Sequence, residues 1–133
     1  MRHRPLSNSQ LTASAAAQQT ESSGFVWTWG CAALGHSQVD SEGICPFPVR
    51  VPGLTDVVNV ACGEGCGAAV TRAGSLFTWG SGRGGRLGHG DEKDVLSPKV
   101  VQALLDMGAR VLQVSVGENH VACVAQLEIA ASS

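Results

Sequence analysis

Gly24-Phe25-Val26-Trp27-Thr28-Trp29-Gly30 returns fifty residues later as Gly74-Ser75-Leu76-Phe77-Thr78-Trp79-Gly80, with Gly, Thr, Trp and Gly identical in place. Four further landmarks follow in the same order. Leu34-Gly35-His36 returns as Leu87-Gly88-His89, and Pro48-Val49-Arg50-Val51 as Pro98-Lys99-Val100-Val101. Val58-Asn59-Val60-Ala61-Cys62-Gly63 returns as Leu112-Gln113-Val114-Ser115-Val116-Gly117, and Ala68-Ala69-Val70 as Ala122-Cys123-Val124. The length differences fall between landmarks, as insertions in surface connections do. A repeat of about 50 residues points to propellers or arrays, in which one unit cannot bury its apolar face alone.

Each landmark reads as a strand or a turn. Phe25, Trp27 and Trp29 fall on one face of a strand, Val26 and Thr28 on the other, and Phe77 and Trp79 repeat that register. The register predicts equivalent sites for Trp29 and Trp79, each anchoring the inner packing of its unit. Val58, Val60 and Cys62 alternate with Asn59 and Ala61, as Leu112, Val114 and Val116 do with Gln113 and Ser115, which predicts half-buried strands. Cys62 then lies on an inward face. Gly30, Gly63, Gly80 and Gly117 end these runs, where the backbone needs positive φ or a close approach. Ser97-Pro98 through Gly108 offers a helical turn, with Ser as N-cap, Pro at N1 and Gly past the end.

Composition sets the surroundings. The chain has 133 residues, 44% of them hydrophobic and 15% charged, with 17 glycines and no tyrosine. That suits one domain of short strands and tight turns. A formal net charge of −2 supplies no basic field for nucleic acid. Five cysteines, an odd number, argue against a disulfide framework and favour a reducing compartment. No apolar stretch reaches the roughly 20 residues of a membrane span. Residues 1–23 are small and polar, so a disordered tail is expected. Arg2, Arg4 and several serines give this segment some likeness to a mitochondrial transit peptide, the alternative to a solvated tail.

The order Gly-x-hydrophobic-x-Thr-Trp-Gly, Leu-Gly-His, Pro-x-x-Val, Val-x-Val-x-Cys-Gly resembles the regulator of chromosome condensation family over residues 24 to about 125. The resemblance implies blades of a seven-bladed β-propeller. In that family it implies functions as diverse as guanine-nucleotide exchange on a small GTPase, nucleosome binding, substrate binding in ubiquitin ligases and UV-B sensing. The last uses a Gly-Trp-Arg-His-Thr run; here the matching positions are Gly63-Glu64-Gly65-Cys66-Gly67 and Gly117-Glu118-Asn119-His120-Val121, without the Trp. Cys66 also stands where the family has the His that the second copy keeps as His120. Two repeats cannot close a ring, and Val124 is followed by no further tryptophan strand.

Candidate chemistry is sparse. Gly80-Ser81-Gly82-Arg83-Gly84-Gly85 satisfies the dinucleotide pattern G-x-G-x-x-G, but Arg86-Leu87-Gly88-His89-Gly90 is a poor continuation as the helix that pattern requires. Cys62 and Cys66 with a histidine suggest metal ligands; yet Cys62 aligns with Val116, so small buried thiols are expected. Asp91-Glu92-Lys93-Asp94 reads as a solvated loop tip.

The sequence thus predicts an all-β fold of incomplete β-propeller-type repeats, about two blades: a tail (1–23), a first repeat (24–73), a second (74–126) and a tail (127–133). The expected function is a protein-interaction or scaffold module, a fragment of a larger propeller protein. Alternatives are an exchange factor for a small GTPase and an inactive truncation product. No catalytic, cofactor or metal residues are expected. Arg83, Arg86, Asp91 and Glu92 are candidate partner contacts; Trp29, Gly30, Gly63, Trp79, Gly80, Gly117 and His120 are structural. The expected partner is a protein, either a small GTPase or a ubiquitin-pathway substrate, and neither a membrane nor a specific nucleic-acid sequence. The expected location is intracellular, cytoplasmic or nuclear. With two open apolar faces and an unpaired last strand, the isolated chain is expected to be marginally stable or to associate.

Overall fold

Strands dominate the computed structural model, which describes residues 24–127; the expectations for residues 1–23 and 128–133 lie outside the described residues. The strands are β1 (Trp27–Cys31), β2 (Ile44–Arg50), β3 (Val57–Gly63), β4 (Cys66–Thr71), β5 (Leu76–Gly80), β6 (Val95–Val100), β7 (Ala109–Val116) and β8 (Val121–Leu127). A single α-helix among the described residues, α1 (Gln102–Asp106), joins β6 to β7. All strand pairs are antiparallel. They form a complete four-stranded sheet, β3-β4-β5-β6, flanked by two two-stranded sheets, β1-β2 and β7-β8. The complete sheet joins the second half of the first sequence repeat to the first half of the second. Blade and repeat are therefore offset by two strands.

Two cores lie between the three sheets. Val26, Val51, Leu54, Ala69 and Trp79 fill the gap between β1-β2 and the central sheet. Ala68, Val70, Leu76, Val101, Val111 and Val114 fill the gap between the central sheet and β7-β8. Alternation along β4 and β5 decides this: Ala68, Val70 and Leu76 point one way, Ala69 and Trp79 the other. Both faces of the central sheet are thus covered over β4 and β5, and the residues of β4 are almost all buried. The same backbone hydrogen bonds recur in both repeats. Val51 N–H donates to Val26 O at 2.7 Å and Val101 N–H to Leu76 O at 2.8 Å; Val57 N–H donates to Gly24 O at 3.0 Å and Val111 N–H to Gly74 O at 2.9 Å.

Trp79 is fully buried. Its indole Nε1–H donates to Ala33 O at 3.2 Å. Two glycines make its socket: a Cβ on Gly67 would come within 2.5 Å of the ring, and one on Gly35 within 3.1 Å of Nε1 and of Val51. Trp29, expected to be its equivalent, is 59% exposed, and Trp27 is 54% exposed. The register prediction places all three rings correctly on the strand face. The burial prediction fails for Trp29 because β1 presents that face outward, with no described sheet beyond it.

Three other expectations are corrected for related reasons. Val58, Val60 and Cys62 alternate as expected but are exposed, while Asn59 and Ala61 point to the covered side. Asn59 Oδ1 accepts from Val114 N–H across the sheets at 3.4 Å. In β7 a register irregularity between Val111 and Gln113 turns Val111 inward and leaves Leu112 exposed. Ser97 and Pro98 belong to β6 instead of capping a helix. Helix α1 is made by the insertion that follows, with Val101 at its N-cap position. The terminal glycines divide by cause: Gly30 and Gly80 have φ of 108° and 110°, whereas a Cβ on Gly63 would come within 2.6 Å of Val116.

Replacing Trp79 by Ala should therefore cost about 3–5 kcal/mol, the loss for a buried large ring. The same change at Trp29 should cost less than about 1 kcal/mol, as at an exposed position. Urea unfolding of the two variants checks this; equal losses would contradict the assignment.

Candidate functional site

The longest connection within the central sheet, residues 81–94 between β5 and β6, carries most of the candidate residues. Gly80 ends β5 at a positive φ of 110°, and a Cβ there would in addition crowd Gly65 O and come within 2.7 Å of Ala33 Cβ. Arg83–Gly85 then form one 3₁₀ turn. The loop is held by its own acids. Gly82 N–H donates to Asp94 Oδ1 at 2.9 Å, Gly84 N–H to Glu92 Oε1 at 2.9 Å, and Lys93 N–H to Asp91 Oδ1 at 3.0 Å. Asp91–Asp94 are exposed, as a solvated loop tip requires, and their three carboxylates also close the loop.

That closure also decides the glycine pattern. A phosphate cradle needs free amides at a helix N-terminus. Here the Gly82 and Gly84 amides already hold carboxylates, which would repel an anion, and a single 3₁₀ turn follows.

The two arginines part company. Arg83 is exposed at the loop surface. Arg86 folds back: its Nε donates to Arg83 O at 2.9 Å, and its Nη1 to Glu118 O at 2.8 Å and Glu64 O at 3.5 Å. One guanidinium thus ties the loop to the β3–β4 and β7–β8 turns. Beneath it, Thr78 Oγ1 donates to Leu87 O at 2.7 Å, as Thr28 Oγ1 does to Leu34 O at 2.5 Å. With its proton committed, Thr78 Oγ1 accepts from His89 Nε2–H at 2.9 Å. The role of Asp94 was missed from sequence. The identity of Thr28 and Thr78 in the repeat was the available signal for the threonine clamp.

The cysteines behave differently from one another. Cys66 and Cys45 are buried, whereas Cys31, Cys62 and Cys123 are exposed. Cys62 is thus not the inward thiol expected. Burial pushes the Cys66 thiol above its ordinary pKa, with Arg86 opposing. Among the described residues no three His, Cys, Asp or Glu side chains converge as a metal site. His120, aligned with Cys66, is exposed and rests its ring against Gly117.

Two expectations follow. Burial, then the charge of Lys99, lowers the His89 pKa from its ordinary 6.5, partly offset by a hydrogen bond with the Thr78 backbone and by Asp91. The folded state thus favours neutral His89, and the unfolded chain takes up the proton first. Stability should fall as pH drops from about 6.5 toward the lower folded value, and His89→Gln should flatten that slope in thermal unfolding measured across this range. Separately, Asp94→Ala should free the Gly82 amide, speeding its hydrogen exchange without unfolding β5; unchanged exchange would show that the carboxylate does not hold the loop.

Comparisons with known proteins agree with this architecture. Human E3 ubiquitin-protein ligase HERC2 is 44% identical over 98 residues, covering 72% of this chain and 2% of that protein. Ultraviolet-B receptor UVR8 of Arabidopsis thaliana is 34% identical over 103 residues, covering 77% of this chain and 23% of the receptor. Regulator of chromosome condensation of Drosophila melanogaster is 42% identical over 82 residues, covering 61% of this chain and 15% of that protein. The chain thus spans less than a quarter of each. Human WBSCR16 superimposes with a TM-score of 0.65 at 30% identity, over 80% of this chain and 28% of that structure. Yeast RCC1 (Prp20), in its complex with Kap60, gives a TM-score of 0.68 at 19% identity over 81% of this chain and 27% of that one, and so supports the fold alone. Residues 73–124 match the regulator of chromosome condensation (RCC1) repeat, and with these relatives the chain is shown to carry repeats of that family.

Proposed function

We propose that the chain is a non-catalytic protein-interaction module, and that the loop of residues 81–94 is its partner surface. The observation that carries this reading is the internal closure of the loop. Asp94, Glu92 and Arg86 fix its backbone, so the exposed Arg83, Asp91 and Lys93 are displayed on a pre-ordered frame. Pre-ordering lowers the entropy lost on binding, which favours recognition by a few charged contacts. Arg86 contributes by holding the frame, and Asp91 and Glu92 do so while remaining exposed at its rim.

The relatives supply partner classes. A structure of yeast Prp20p describes its binding to Gsp1p and histones, and other relatives are ubiquitin-protein ligases. A basic histone tail or a ligase substrate would meet Asp91 and Glu92; an acidic patch would meet Arg83. A location inside the cell, in the nucleus or cytoplasm, is consistent with partners of these classes. Among the described residues no helix is long and apolar enough to cross a membrane.

Quantitative cross-linking in cells expressing the wild-type chain, Arg83→Glu, and the remote control Gln126→Glu tests the surface. Partners captured by the wild type and the control should be depleted at least several-fold by Arg83→Glu. An unchanged set would overturn the loop as the contact. The exchange-factor alternative is read out separately, as faster release of labelled GDP from a small GTPase on adding the chain.

A further inference from the structure

The described surface carries an unfilled copy of the Trp79 socket. A cavity of about 430 Å³ between the central sheet and β7-β8 is lined by Arg86, Gly88, Val101, Leu104 and Val121, among others. Under the repeat these positions correspond to Ala33, Gly35, Val51, Leu54 and Gly67, which surround the buried indole of Trp79. The glycines show the difference directly. Gly35 and Gly88 share φ of +79°; a Cβ on Gly35 would touch both Trp79 and Val51, whereas one on Gly88 would touch only Val101. The socket is built, and among the described residues no ring fills it.

A matching plug is exposed at the other end. Trp29 stands in β1 where Trp79 stands in β5, and β1 pairs only with β2 among the described strands. Likewise β8 pairs only with β7, although its counterpart β4 pairs with β5 as well. The β4–β5 register sets Gly67 opposite Trp79, Ala69 opposite Phe77 and Val70 opposite Leu76. Carried onto β8 and a β1 strand, it sets Val121 opposite Trp29, Cys123 opposite Trp27 and Val124 opposite Val26.

We propose that the chain associates head to tail, with β1-β2 of one copy completing the β7-β8 half-blade of another and Trp29 entering the empty socket. The occupant is a second copy because the chain itself displays the tryptophan strand that the socket is shaped for. The same docking lays β7-β8 of the copy that offers the socket over β3 of the copy that supplies Trp29. Exposed Val124 and Ala122 then meet exposed Val58, Val60 and Cys62, as Val70 and Ala68 meet β7 within one chain. The large apolar side chains left bare on β1, β3 and β8 are thereby accounted for together. Val121 in place of Gly67 is the one mismatch, and the ring must sit further from β8 in the second socket than in the first. The association does not depend on which partner the loop of residues 81–94 takes.

A head-to-tail contact uses two different surfaces, so two blocked variants should complement each other. Trp29→Ala removes the plug at an exposed position; Cys123→Arg obstructs the socket edge at another. Sedimentation equilibrium of the full chain should give a weight-average mass that rises with concentration beyond twice the monomer's 13.7 kDa. Each variant alone, with its fold checked by circular dichroism, should stay monomeric at the same concentrations. An equimolar mixture should form a heterodimer and go no further. A wild-type chain that remains monomeric, a Trp29→Ala chain that associates like the wild type, or a mixture that fails to pair would each overturn the proposal. The last outcome, with both variants monomeric, would point to a symmetric contact instead. A second reading uses the unaltered protein: tryptophan emission should shift to the blue as concentration rises, because Trp27 and Trp29 leave water.

Discussion

Packing one β-sheet on another leaves a gap of about 10 Å that side chains must fill without voids. In this chain the gap between β1-β2 and the central sheet is filled by the indole of Trp79. Small residues on both sides make room for it, Gly35 on the preceding loop and Gly67 on the neighbouring strand, and Ala33 accepts its one polar hydrogen. A ring of this size removes on the order of 150–250 Å² from water. The surrounding sequence is arranged around that burial. Gly80 must take positive φ directly after the tryptophan, Thr78 must clamp the returning loop, and the loop must then close on its own carboxylates.

Because each blade stacks on the next, a strand's fate depends on its neighbours more than on its own residues. Trp29 and Trp79 sit in the same local sequence and in the same position relative to their following loops. One is fully buried and the other is mostly exposed, since among the described strands the central sheet has a sheet on each side and β1-β2 has one on a single side. The same asymmetry exposes Val58, Val60 and Cys62 on β3 while their counterpart Val114 on β7 is buried. It also separates Cys66, enclosed in the sheet, from His120 at the same place in the second repeat. The unfilled socket beside β7-β8 and the bare plug on β1 are two ends of one repeating interface.

This dependence explains what the sequence made legible. The repeat was visible as ordered landmarks, and with it the strands, their alternation, the turn glycines and the β-propeller class. What was hidden were properties that arise between repeats. Alternation in Val58–Cys62 separates two faces but does not say which of them a neighbouring sheet covers. The blade boundary also escaped notice, because a sequence repeat starting at Gly24 contributes its strands to two sheets. Ser97-Pro98 matched a helix start, yet pairing of β6 with β5 took precedence over the capping signal, and the inserted residues formed the helix instead. In the loop of residues 81–94 the glycines were conspicuous, whereas the acids that bind their amides looked like an ordinary hydrophilic tip. Only the fold brings Asp94 back to Gly82, twelve residues away.

The central claim is that one tryptophan is locked between sheets while the other two face outward. Hydrogen exchange of the three indole N–H groups, followed by nuclear magnetic resonance on the Cys123→Arg variant to keep the outer rings free, tests it most directly. The account predicts one slowly exchanging indole, that of Trp79 bonded to Ala33 O, and two that exchange at the rate of a solvated ring. Three indoles exchanging alike, or slow exchange at Trp29 in place of Trp79, would contradict it.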